Sequence, residues 1–450
     1  MGRQLRLAFA RLAAMDSPLS ALAYVWALFF CGLLVAGLLT QLWLASRQIR
    51  HVAQHRPAVP PAFAERVSLA SHQKAADYTI AKLRLGLVEL AWNAALLLGW
   101  TLLGGLNLLN QLLRGRLGDG LAQQLALLAA FFTITTLLDL PLAWMRTFRI
   151  EQRHGFNRMT LGLWLADGLK SAAVGAAFGL PFAALLLWLM EAAGSLWWLW
   201  CWALWLGLSL LMLVLYPTWI APLFNRFAPL DDPALRQRIE ALMARCGFRS
   251  RGLYVMDGSK RSAHANAYFT GFGPAKRVVF FDTLLHKLSP DEIEAVLAHE
   301  LGHFKCGHLP RRLLLSGLVS LLGFALLGYL TGQLGFYVGL GVQPNLVAPS
   351  NALALLLFVS VMPLASIFLT PLLSQLSRRQ EFEADAYACT HADRSHLVSA
   401  LVKLYQDNAS TLTPDPVYAS FYYSHPPAAE RLAHLEPSRP EAQHPSTTPA

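Results

Sequence analysis

Seven stretches of this chain are apolar over the length needed to cross a bilayer, and no other feature limits its possible folds so strongly. They lie near residues 21–45, 85–113, 121–145, 169–192, 195–223, 312–341 and 350–376. A transmembrane helix needs roughly 20 mostly apolar residues, which each stretch supplies. Composition agrees, since 55% of the residues are apolar and only 14% charged, far from the balance of a soluble domain. The expected fold class is mainly α, a polytopic membrane protein with seven transmembrane helices. The first stretch follows Arg3, Arg6 and Arg11 but is too long for a signal peptide, and "WLASRQ" is a poor cleavage site. It is read as retained.

Basic residues set the orientation, because positively charged loops stay on the cytoplasmic side. Arg47, Arg50, Arg56, Arg66, Lys74, Lys82 and Arg84 separate the first two stretches, and Arg146, Arg149, Arg153 and Arg158 separate the third and fourth. The alternate loops are nearly bare, with only Arg114 and Arg116 after the second stretch. The pattern predicts an N-terminus outside and a C-terminus inside. Much of the net charge of +10 is then a topology signal and calls for no nucleic-acid partner. The lipid partners are those of a multi-pass protein, in the inner membrane if the source is bacterial. Cys31, Cys201, Cys246, Cys306 and Cys389 share no paired spacing and predict no disulfide framework.

Two polar segments are large enough to hold chemistry. In the first, "DDPALRQRIEALMARCG" has an acidic cap, an early proline and a closing glycine, and reads as a helix. "GLYVMD", "NAYFTGF" and "RVVFFD" read as short strands. "SPDEIEAVLAHELGHF" opens with Ser289 at the cap, Pro290 at the first helical position and Glu292 completing a capping box. On that helix His299 and His303 are four residues apart and share one face, as two imidazoles on one zinc ion must. Glu300 lies beside them. Such a pair with one further ligand leaves zinc able to activate water, and a carboxylate able to take its proton.

The third ligand is harder to find. No Asp or Glu occurs between Glu300 and Glu381. The three-histidine pattern of metzincins fails because Cys306 and Leu309 occupy its positions. The first carboxylates available are Glu381, Glu383 and Asp385 in "SRRQEFEADAYA". Glu381 and Asp385 share a helical face, which suits a metal ligand and a partner that orients another ligand. With Glu381 toward the metal, Glu383 is rotated by about 200 degrees and faces away. His308 reads as a capping residue at the membrane surface. An exposed strand at Asn266, Ala267 and Tyr268 could pair with an extended peptide, with Asn266 and Tyr268 on one face. "HGFN" at 154–157 could line the site or anchor the loop that holds it.

These motifs together resemble the type 1 CAAX prenyl proteases, membrane zinc endopeptidases with seven helices. "FRIEQRHGFNRMT", "IAPLFNRFAPL", "SKRSAHANAYFTGFGPAKRVVFFDTLL", "HELGHFKCGH", "SRRQEFEADAYA" and "YSHPPAAERL" occur in that family's order and span most of the chain. The resemblance implies one catalytic zinc ion held by His299, His303 and Glu381, with Glu300 as general base and Asp385 orienting a ligand. It implies that His425 and Arg431 steady the substrate or the transition state. It also implies a chamber enclosed by the helices and a small α+β, gluzincin-like zinc protease domain at its cytoplasmic end.

The corresponding domain plan has transmembrane helices one to five in 1–223, with cytoplasmic loops at 46–84 and 146–168. A catalytic segment follows at 224–311, helices six and seven at 312–376, a segment completing the zinc site at 377–435, and a disordered tail at 436–450. The reaction is hydrolysis of a peptide bond in a peptide or protein that is lipidated or membrane-bound. Abundant Ala, Leu and Arg resemble GC-rich bacterial usage, which raises quality control of membrane polypeptides as an alternative role. A transporter with a structural zinc is the competing class. It would need intramembrane charges, for which Glu89, Asp139 and Glu191 are the main candidates.

Overall fold

The computed structural model describes residues 18–248, 252–270 and 277–435. The expected disordered tail lies outside the described residues. Five long helices and one shorter helix make up the first half of the described chain: α1 (Pro18–His55), α2 (Leu69–Trp100), the shorter α3 (Gly105–Leu117), α4 (Leu121–Trp144), α5 (Leu161–Ala192) and α6 (Trp197–Leu215). A four-stranded sheet and two helices follow: β1 (Phe227–Pro229), α7 (Pro233–Arg245), β2 (Leu253–Met256), β3 (Ala267–Thr270), β4 (Arg277–Phe281) and α8 (Pro290–Lys305). The chain then enters α9 (His308–Thr331), α10 (Leu334–Gly339) and α11 (Asn351–Ser366), and closes with α12 (Thr370–His391), α13 (Arg394–Asp407), α14 (Pro416–Tyr422) and α15 (Ala428–Leu435). Among the described residues seven helical segments are long and apolar enough to span a membrane.

Two expected spans break early. The stretch 85–113 divides at Gly104, whose φ of 79° lies in the left-handed region that a glycine enters without strain. The second span is α2, and α3 is a separate helix. The stretch 312–341 ends as a span at Thr331, and α10 folds back onto α1. Residues 46–84, expected as a loop, are mostly helical. α1 and α2 are 38 and 32 residues long, about 57 and 48 Å at 1.5 Å per residue, so both run beyond a bilayer core of about 30 Å. Their polar ends meet through Arg56, whose Nε and Nη2 each lie 2.8 Å from the Asp77 carboxylate.

Each span packs against the next in chain order, and α11 closes the circle on α1. At one end the ring is filled by an apolar core that includes Phe30, Leu127, Phe131, Leu187, Leu327 and Leu357. Its middle is not filled. Residues 132–144 of α4, 161–185 of α5, 202–215 of α6 and 358–366 of α11 contain no buried side chain. A solid bundle would bury a stripe along each helix, so these helices wall a hollow. The three acidic residues named above as candidate intramembrane charges have polar partners: Glu89 with Arg146 at 2.5 Å, Asp139 with Trp92 at 3.1 Å, and Glu191 with Gln124 at 3.3 Å.

At the other end a second core joins segments from both sides of α9–α11. Leu242 of α7, Phe280 of β4, Leu297 and Leu301 of α8, Leu401 of α13 and Leu432 of α15 are buried in it. The sheet order is β1-β2-β4-β3, with β2 and β4 parallel and the outer pairs antiparallel. β3 is therefore an edge strand. The "HGFN" segment anchors the chain that leads into β3: Ala263 N donates to Phe156 O at 3.0 Å, Asn157 bridges to Ser262, and Phe156 stacks on His264 at 4.3 Å. Its role in the fold is structural.

Candidate metal centre and catalytic cavity

Helix α8 starts where the sequence says it should. Ser289 Oγ accepts from Glu292 N at 3.3 Å, and Glu292 Oε2 accepts from Ser289 N at 2.8 Å, so two otherwise orphaned amides are satisfied. Glu292 also receives Lys403 and Ser399, at 2.8 and 2.7 Å. Burial opposes its ionisation, but these partners outweigh burial and hold its carboxyl below the usual range.

α8 packs most extensively on α12. They come close at Gly302, where a Cβ would lie 2.9 Å from Ala384 Cα, so only a glycine fits there. The contact sits between His299 and His303 on one helix and Glu381 and Asp385 on the other. Three side chains converge as a result. His299 Nε2 and His303 Nε2 are 3.3 Å apart, His299 Nε2 is 3.4 Å from Glu381 Oε2, and His303 Nε2 is 3.3 Å from Glu381 Oε1.

Ligands about 2.0–2.1 Å from a tetrahedral zinc ion are separated by about 3.3 Å, so these edges fit the ion. Glu381 is buried, and its Oε2 makes no hydrogen bond, with the Arg431 guanidinium 3.9 Å away, so a metal ion would give it the direct partner it lacks. The residues present fit a metal. His299 Nδ1 lies 2.8 Å from Asp385 Oδ1, which leaves Nε2 to face the ion. Burial lowers the affinity of His299 for a proton, but Asp385 and Glu381 reverse this and push its pKa up to about 9.

Glu300 borders a cavity of about 780 Å³ together with Ala265, Asn266, Ala267, Tyr405, His425 and Arg431. Burial raises its pKa, as suits a group that must accept a proton and give it back. His425 Nε2 lies 3.4 Å from Glu381 Oε1. Arg431 is buried and turned toward Asp385, with Nε 2.9 Å from Oδ2 and Nη2 on Oδ1. Tyr268 departs from expectation. It lines a separate cavity with Pro217 and Pro222, whereas Asn266 and Ala267 border the cavity of Glu300. Glu383 stands away from the three converging side chains and reaches His308. Sequence reasoning gave neither of these two residues a partner.

Residues 48–226 match the family described as CAAX prenyl protease N-terminal, five membrane helices, and residues 229–439 match peptidase family M48. The chain is also 33% identical to CAAX prenyl protease 1 of Saccharomyces cerevisiae over 438 residues, 91% of this chain and 95% of that one. This chain belongs to the CAAX prenyl protease family. Relatives within it include the CAAX prenyl protease 1 homolog of Homo sapiens, 35% identical over 350 residues, which cover 69% of this chain and 72% of that one. A crystal structure of S. mikatae Ste24p superimposes with a TM-score of 0.85 at 32% identity, covering 91% of this chain and 99% of that one. As a member of the CAAX prenyl protease family, the chain is an integral-membrane metalloendopeptidase.

Proposed function

We propose that the ion is zinc, held by His299, His303 and Glu381, and that the enzyme cuts isoprenylated CAAX C-termini at the cytoplasmic face. The observation that carries the reading is the convergence of three side chains, with the two imidazole Nε2 atoms 3.3 Å apart and each 3.3–3.4 Å from one of the Glu381 carboxylate oxygens, at a cavity that Glu300 and the edge strand β3 share. Two imidazoles and a carboxylate are the donor set of a catalytic zinc. When bound, zinc supplies Lewis-acid polarisation of the scissile carbonyl and acidifies the attacking water.

Glu300 takes a proton from that water and hands it to the leaving amine. Asn266 and Ala267 at the open edge hold an extended peptide by backbone hydrogen bonds. His425 donates to the oxygen on which charge develops. Asp385 accepts from His299 and so orients it, and Arg431 fixes Asp385. The relatives carry the name CAAX prenyl protease, which supports a prenylated substrate.

Full-length protein in nanodiscs tests the reading, with a farnesylated CAAX peptide compared against the same peptide without its lipid. One zinc per chain and cleavage that favours the lipidated peptide are expected. Cleavage of unmodified membrane polypeptides with no response to the lipid would overturn the substrate assignment.

A further inference from the structure

His308 and Glu383 have no part in that chemistry, yet they stand directly behind a ligand. His308 opens α9 and is 2% exposed. Glu383 lies two residues past Glu381 on α12 and points away from the trio, as the helical rotation requires. Its Oε2 is 2.9 Å from His308 Nε2, and His308 Nδ1 is 2.9 Å from His303 Nδ1.

Proton placement along this path has one solution. A neutral histidine that turns the Nε2 lone pair to a metal carries its hydrogen on Nδ1. His303 Nδ1–H therefore donates, and His308 Nδ1 accepts. An imidazole accepting at Nδ1 has its own hydrogen at Nε2, where a carboxylate waits that can only accept. The reverse assignment would set two N–H groups against each other at His303 and a lone pair against the Glu383 oxygen.

We infer that Glu383 and His308 form a directed hydrogen-bond chain that fixes the tautomer and orientation of His303. The inference rests on the reading of His303 as a metal ligand. Both histidines are then backed by a carboxylate, His299 directly by Asp385 and His303 through one intervening ring. The two arms differ in strength. Asp385 is buried against Arg431, whereas the Glu383 side chain is 50% exposed and has Arg311 at 3.8 Å, so water screens it. His308 is the buried link, and its loss costs more than the loss of Glu383. Both are positioning residues.

The test follows metal loss. Full-length protein in detergent, loaded with one equivalent of zinc, is mixed with excess chelator and the release rate recorded. Cobalt substitution reports ligand geometry, and the thermal midpoint of the metal-free protein controls for folding. Removing such a partner typically weakens a metal site about 10- to 100-fold. His308→Ala is expected to speed release within that range, and Glu383→Ala to do so less. His308→Asn places an oxygen where Nδ1 was and restores part of the retention. In that background Glu383→Ala adds nothing, because the path is already cut. Unchanged release in both alanine variants, with zinc bound by wild type, overturns the chain. So does a full additional loss in the double variant, or a second equivalent of metal held by Cys306, His308 and Glu383, whose atoms cannot both ligate and hydrogen-bond. Wild-type protein that binds no stoichiometric zinc overturns the metal-site reading underneath.

Discussion

A carboxylate that serves in turn as base and acid leaves a distinctive signature when it is neutralised. Glu300→Gln removes no ligand, so the fold and metal content are expected to persist while proteolysis falls by several orders of magnitude. Metal analysis alongside single-turnover cleavage checks this, and normal turnover with the ion in place would remove Glu300 from its role. On α12, Glu381→Ala is expected to abolish stoichiometric binding, and Asp385→Ala to weaken it about 10- to 100-fold. Glu383→Gln has a small effect, since the amide oxygen still accepts from His308 Nε2. Ion lost in Glu383→Gln but kept in Glu381→Ala would reverse the assignment. His299, His303, Glu381 and Asp385 were legible in the sequence because four-residue spacing survives in any straight helix. The link from His303 to His308 was not. Gly307, with a φ of 69°, ends one helix and starts another, and no periodicity relates side chains across such a break.

Among the elements, the pair α8 and α12 depends on one missing Cβ. In Gly302→Ala the added methyl meets backbone at Ala384, which cannot swing aside as a side chain could. Overpacking of this kind costs about 1–3 kcal/mol, and the helices are expected to separate enough to spoil the 3.3–3.4 Å ligand edges. Metal affinity and thermal midpoint should fall together, and wild-type affinity in this variant would show that the approach is not what sets the site. Glu292 predicts a pH effect on the same helix. Its folded-state pKa is depressed, so its contribution to stability is present above the ordinary carboxylate value of 4.5 and is lost as pH falls through the lowered value. Metal-free Glu292→Gln should therefore lose stability relative to wild type at neutral pH, with the gap closing in acid; a gap that widens in acid contradicts the assignment. The cap, α7 and three strands were legible from turn and capping residues. The breaks at Gly104 and Thr331 were not, because an apolar window registers lipid-compatible residues and carries no record of where the backbone turns.

For the molecule as a whole, the ring of spans has two unlike ends, and charge bears on which end faces the cytoplasm. The catalytic end carries Arg47, Arg56, Arg146 and Arg158, whereas the apolar plug at the other end adjoins connections as poor in charge as residues 192–196. Retention of basic loops on the cytoplasmic side predicts that the metal-site end faces inside and the plug outside. The hollow would then open toward the compartment where the cavity lies and be sealed from the other, as a protease that takes substrates from one side requires. Single cysteines placed at Ser195 and Ala450 in a background without Cys31, Cys201, Cys246, Cys306 and Cys389 test this with a maleimide that does not cross membranes. In right-side-out vesicles Ser195→Cys should react and Ala450→Cys should not, and inverted vesicles should exchange the two results. Labelling of Ala450→Cys from outside would invert the topology and place the active site on the opposite face, whatever the metal chemistry shows.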